Sequence, residues 1–139
     1  IPRAMLSART GASMQLHGGG FSERCFIHIR DAMQATLILA FEADPGTSWH
    51  LSTRKPISIR SLVEAICQRC GVKFSDIVED SSDRLGKDQS YLLDSTLMRS
   101  NFGWSDKISL EDGLVDTLAW IDDNLELLKT YSWSYQHKG

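Results

Sequence analysis

Two arginines and one lysine are the residues whose types and surroundings point most directly to chemistry. Arg84 and Lys87 lie in Asp83-Arg84-Leu85-Gly86-Lys87-Asp88, a charged stretch that runs through Tyr91 back into regular structure near Asp94. Arg offers a planar fork of donors matched to phosphate oxygens, and Lys a mobile point charge. Arg24 follows Gly18-Gly19-Gly20 and precedes an apolar run. The competing reading is a solvated loop with local Arg84–Asp83 and Lys87–Asp88 pairs, each contributing about 0–1 kcal/mol. His28 is a candidate base, but no paired carboxylate or nucleophile is evident in the sequence. His50, next to Trp49, could stack on a base.

Cys67-Gln68-Arg69-Cys70 spells C-x-x-C, a spacing used by redox pairs and by zinc ligands. Ile59, Leu62, Val63, Ile66, Cys67 and Cys70 recur at three- and four-residue steps, so the thiols continue an apolar helical stripe. A structural zinc site takes four ligands, and the sequence has no second C-x-x-C and no H-x-x-x-H. No metal is expected. Three cysteines form no disulfide framework, and a reducing, cytoplasmic setting is expected.

The elements that must position these residues are short. Pro2 to Ala8 reads as a helix closed by Gly11, Met14 to Leu16 as a strand, and Phe26 to Ile29 as another. Asp31 sits where an N-cap would, ahead of a helix from Ala32 to Ala43 in which all but Gln34, Thr36 and Glu42 are apolar. Such a helix demands cover on several sides. Trp49 to Ser52 reads as a strand. Ser58 and Gly71 bound the cysteine helix. Residues 72 to 90 read as a loop, with a possible short strand at Ile77-Val78. Asp94 or Ser95 opens a short helix to about Phe102. Ser109-Leu110-Glu111-Asp112 is a near capping box. The leucine and isoleucine steps from Leu110 through Leu128 then predict one amphipathic helix.

Composition frames this as one soluble domain. There are 139 residues, 42% hydrophobic and 24% charged, with a formal net charge of -3. That balance argues against a nucleic-acid binder. No apolar run approaches the ~20 residues that span a bilayer, so no membrane partner is expected. Short strands among several helices predict an α/β chain, α+β-like, with too few strands for a complete doubly wound sheet. The absence of a first Met predicts a piece of a longer protein: a single domain over 1–139, with 129–139 as a tail.

Taken in order, several passages resemble the C-terminal, substrate-binding part of extended short-chain dehydrogenases/reductases acting on nucleotide-diphosphate sugars. Ile1-Pro2-Arg3, a helix, Leu16 and the three glycines resemble the family's "IPR-helix-L-x-GxG". Arg24 to Ala32 resembles "R-D-F-I-H-V-x-D-V-A". Trp49-His50-Leu51-Ser52 and Ile57-Ser58-Ile59 resemble "Y-N-I-G … x-S-I". Asp83 to Asp88, Tyr91, Asp94, Gly103-Trp104 and Ser109 to Leu114 resemble "DRPGHD … Y-x-x-D … GW-x-P … SLEEGL". The resemblance covers roughly residues 1 to 128.

It implies that Arg24 and Arg84 bind the substrate diphosphate, with Lys87 facing the nucleotide, Gln15 and Leu16 packing on the base, and His50 at the family's Asn position. Cys25, Leu85 and Lys87 also depart from the family's Asp, Pro and His. The implied parent is an NAD-dependent epimerase or 4,6-dehydratase. This chain has neither the G-x-x-G-x-x-G turn nor the Tyr-x-x-x-Lys pair, so no catalytic residue is assigned and no NAD is expected on it alone. The missing dinucleotide half, or a second copy, would cover the apolar helix. The alternative is a free-standing interaction or dimerisation module without catalysis.

Overall fold

The computed structural model describes residues 1–82, 86 and 88–131. Seven helices and five short strands follow one another among the described residues. They are α1 (Pro2–Thr10), β1 (Met14–His17), β2 (Glu23–Cys25), α2 (Ile29–Glu42), β3 (Pro56–Ser58), α3 (Ile59–Cys70), α4 (Phe74–Ile77), β4 (Val78–Ser81), β5 (Ser90–Tyr91), α5 (Thr96–Phe102), α6 (Leu110–Asp123) and α7 (Leu125–Leu128). The expected α/β class holds. β1 pairs in parallel with β4, while β2 lies between antiparallel β3 and parallel β5.

Local chemistry sets most boundaries. Pro2 opens α1, where its missing N–H is no loss, and Gly11 closes it at φ 72°. Ser58 Oγ accepts from Ser61 N at 3.0 Å, and Gly71 ends α3 at φ 71°. Ser109 closes the near capping box in its own way: its hydroxyl accepts from Asp112 N at 3.0 Å and donates to Asp112 Oδ2 at 2.7 Å.

Five expectations are corrected. Phe26 to Ile29 is not a strand, because β2 stops at Cys25, whose ladder partner Pro56 has no N–H to extend it. The cap of α2 is His28, not Asp31: Nδ1 of His28 accepts from Arg30 N at 3.2 Å, which starts the helix at Ile29. Trp49 to Ser52 is not a strand either. Its Ser52 carbonyl accepts from Ser95 Oγ and Arg99 Nη2, each at 3.0 Å, and Trp49 packs edge-on to Phe102 at 4.8 Å. The Ser95 hydroxyl, just ahead of α5, and the Arg99 guanidinium of α5 thus satisfy what a neighbouring strand would have satisfied. The leucine-spaced helix breaks at Asn124, whose Nδ2 donates to the Trp120 carbonyl at 2.8 Å and competes with the backbone there. Part of the expected 72–90 loop is also regular, as α4, β4 and the start of β5.

The larger core joins α1, α3 and α6 through Met5, Leu6, Leu62, Ile66, Leu114 and Ile121. Met5, Ile66 and Ile121 are fully buried, and each contributes about 1.5–3 kcal/mol by leaving water. A smaller core holds Ala35 of α2, Met98 of α5 and Trp104. Phe26 packs on the first core and Ile27 on the second, so this extended stretch is the seam between them. Asp31 reinforces the seam. It is 3% exposed, and its Oδ2 accepts from Lys107 N at 3.0 Å and Ile108 N at 2.9 Å.

Cys67 is buried in the larger core, and Cys70 is half-buried at its rim. Burial pushes both thiols up from their ordinary range, which suits core packing rather than thiolate chemistry. No helix among the described residues is long and apolar enough to cross a membrane. The apolar character of α2 stays on the surface: Ile29, Met33, Leu37 and Phe41 are exposed, Phe41 to 86%.

Candidate functional site

Arg24 sits in the middle of β2, flanked by Ile57 of β3 and Tyr91 of β5. Its guanidinium donates from Nη1 to the Glu23 carbonyl at 2.6 Å and from Nη2 to the Asp88 carbonyl at 3.1 Å. A guanidinium has five N–H donors, and neutral carbonyls leave its charge uncompensated. Among the described residues no carboxylate forms an ion pair with it. The strand pairing and the Asp88 bond together bring Arg24 to the end of the 83–88 stretch. Glu23 N donates to the Gln89 carbonyl at 2.9 Å beside it. Arg84 and Lys87 themselves lie outside the described residues.

Gln15 and Leu16 lie on β1, opposite Glu79 and Asp80 of β4. Gln15 is exposed. Leu16 is buried, and its side chain packs beneath the glycine turn, so it can meet a ligand only through its main chain. The turn is built on close approach. A Cβ at Gly20 would fall 2.7 Å from Leu16 Cδ2 and 3.0 Å from Arg60 N, at φ 73°. Arg60 stacks over the Phe74 ring at 4.7 Å and points Nη1 at the Gly19 carbonyl, 3.5 Å away.

His50 is exposed and acts with Arg54 on Asp94. That carboxyl is held below its ordinary value, first by hydrogen bonds from Thr96 and then by the charges of Arg54 and His50. Arg54 and Asp94 line a shallow groove of about 250 Å³ with Cys25. Cys25 follows Arg24 on β2, so their side chains leave opposite faces of the strand. His50 and Arg24 are therefore not shown meeting at one point. Arg54 was missed because nothing in its immediate sequence distinguishes it from a solvated cation. His28, a candidate base by type, is engaged as a cap, with Asp116 Oδ2 3.6 Å from its Nε2.

With this geometry in hand, relatives can be compared. A dTDP-glucose 4,6-dehydratase from Streptomyces niveus is 30% identical over 124 residues, covering 89% of this chain and 37% of the relative. A crystal structure of dTDP-glucose 4,6-dehydratase from Bacillus anthracis in complex with NAD superimposes with a TM-score of 0.84 at 26% identity, covering 93% of this chain and 40% of that one. The chain matches the C-terminal part of extended short-chain dehydrogenases/reductases. Within that family it matches the C-terminal part of the dehydratases. A trifunctional UDP-glucose 4,6-dehydratase/UDP-4-keto-6-deoxy-D-glucose 3,5-epimerase/UDP-4-keto-L-rhamnose-reductase from Arabidopsis thaliana is 25% identical over 126 residues, covering 91% of this chain and 19% of that relative. The chain thus spans about two fifths or less of these relatives' length. No protein-family model matches it.

Proposed function

We propose that this chain is the nucleotide-sugar-binding part of an NAD-dependent NDP-sugar 4,6-dehydratase or epimerase, with the diphosphate held by Arg24 and Arg84. The observation that supports the reading is Arg24's reach from β2 to the carbonyl of Asp88, four residues along the chain from Arg84. A phosphate arriving there exchanges neutral carbonyl acceptors for charged ones, and charge-assisted bonds are about twice as strong. Lys87 adds a point charge, and exposed Gln15 with the Leu16 main chain faces the base. His50 acts with Arg54 near Asp94. The kinship with dehydratases acting on dTDP- and UDP-glucose supports the substrate class.

The residues described here do not fit NAD. Dinucleotide pyrophosphate takes a glycine turn that follows a parallel strand and opens a helix. Gly18 to Gly20 instead lead into β2, and the space a side chain would take at Gly20 is filled by Leu16 and Arg60. NAD belongs to the parent's other part in this reading, and no hydride step is assigned to these residues.

The test is calorimetric titration of the native protein with UDP-glucose and dTDP-glucose. Arg24→Ala is expected to weaken binding at least tenfold, since it removes a bond to a charged group worth about 1.5–3 kcal/mol. Unchanged affinity refutes the diphosphate role. A second reading, an interaction module, rests on the exposed row Ile29, Met33, Leu37 and Phe41. It predicts no nucleotide-sugar binding at all.

A further inference from the structure

Phe21 follows the glycine turn, between the two strands on which the proposed site is built. β1, with Gln15 and Leu16, leads into Gly18–Gly20, and β2, with Arg24, leads away. Phe21 belongs to neither hydrophobic core and is 69% exposed. A single exposed phenylalanine is ordinary on a protein surface. This one is held in place. One side of its ring rests on Gly19, where an added Cβ would fall 2.6 Å from Cε2, 3.1 Å from Cδ2 and 3.4 Å from Cζ. Gly19 is also at φ 62°, so its conformation and the seat of the ring both depend on the missing side chain.

The backbone on either side of the ring is fixed as well. Gly20 lies against the Leu16 side chain and Arg60 N, which leave no room for a Cβ. The Ser22 carbonyl accepts from Ile59 N at 3.0 Å and ties the chain to the start of α3. The ring is thus set before any ligand arrives, and its free side is open to solvent. Little further ordering is needed for a flat ligand to settle on it. Phe21 and Arg24 are three residues apart, so their Cα atoms are separated by no more than about 11 Å, a distance of the order that a ribose and its phosphates bridge.

We infer that Phe21 is a base-stacking residue: the pyrimidine of the nucleotide lies on the exposed side of its ring while Arg24 holds the diphosphate. This rests on the proposed nucleotide-sugar reading and names a contact which that reading does not contain. Every base has a flat π face, and an aromatic side chain receives it by stacking. The base falls on this side of the diphosphate because the strand entering the turn carries Gln15 and the Leu16 main chain, the groups already given to the base. The ring then fixes the plane of the base, and the groups of β1 are left to its edge.

The experiment titrates the native protein calorimetrically with UDP, dTDP, UDP-glucose and inorganic pyrophosphate, and compares Phe21→Leu, Phe21→Tyr and Arg24→Ala. Proton NMR of the bound uracil gives a second readout, because a base lying on an aromatic ring has its H5 and H6 resonances moved upfield. Phe21→Leu is expected to weaken UDP and dTDP at least about fivefold, the low end for base–aromatic stacking, and to abolish the upfield shift. Its affinity for pyrophosphate should stay that of wild type. Phe21→Tyr keeps the ring and is expected to keep both affinity and shift. The side chain is exposed, so the melting temperature should move little in either Phe21 variant. Wild-type UDP affinity in Phe21→Leu, with Arg24→Ala impaired, overturns the inference and leaves the diphosphate reading standing. Equal losses for UDP and pyrophosphate in Phe21→Leu overturn it too, since the ring would then be shaping the diphosphate site. A loss with UDP-glucose but not with UDP puts the hexose on the ring and also overturns it. Wild-type affinity in Arg24→Ala refutes the diphosphate reading and this inference with it.

Discussion

Asp31 is where one atom carries the most structure. Its Oδ2 accepts two main-chain N–H groups, from Lys107 and Ile108, and the carboxylate is 3% exposed. Asp31→Ala strands both donors in a mostly dry place. Each buried donor without a partner costs about 1–3 kcal/mol. Loss of the negative charge in the first turn of α2 adds about 0.3–1 kcal/mol. Partial access of water to the 107–108 backbone pulls the total toward the low end, about 3 kcal/mol. Asp31→Asn keeps an oxygen that can face both donors but makes the bonds neutral, at about 1–2 kcal/mol. Urea unfolding reads the difference. With a slope of about 2 kcal/mol per molar, Asp31→Ala lowers the midpoint by about 1.5 M and Asp31→Asn by about half that. A midpoint for Asp31→Ala within about 0.3 M of wild type refutes the seam argument, as does Asn being worse than Ala.

Two glycines separate backbone strain from crowding. Gly20→Ala is expected to cost about 2–5 kcal/mol, from a left-handed φ and a Cβ driven into Leu16 and the Arg60 backbone. Gly46→Ala, at φ 82° in open space, should cost about 1–2 kcal/mol, and equal costs by thermal melting would remove the crowding term. Arg9 and Asp122 set an acid limit. Arg9 donates to both oxygens of Asp122, at 2.6 and 2.8 Å, and its hydrogen bond holds that carboxyl below the ordinary 3.8. A depressed carboxyl stabilises the fold above its unfolded value and loses that contribution as pH falls through the folded one. The stability gap between wild type and Arg9→Ala should therefore be constant above about pH 4–5 and close below it, in urea melts at stepped pH.

What could be read in advance was local. Pro2, Ser58, Gly71 and Ser109 mark element ends because caps and left-handed glycines act within four residues. Strands at Phe26 and Trp49 failed because a strand is a relation between segments. Pro56 denies one its ladder, and the side chains of Ser95 and Arg99 replace the other's. The break at Asn124 was hidden because the leucine spacing runs straight through it. In the site, Arg24 stood out through its place in a family pattern. Arg54 gave no such signal, since its neighbour Asp94 lies far along the chain.

The seam at Phe26 and Ile27 has a consequence for how the molecule opens. The smaller core, Ala35, Met98 and Trp104, holds few buried side chains, while the larger holds most of them. Cooperative units of unequal burial open at unequal free energies. The α2–α5 unit can then detach in brief excursions while α1, α3 and α6 stay closed and β2 keeps Arg24 in register. The amide protons of the two units are thereby set on different clocks, with the binding strand on the slower one.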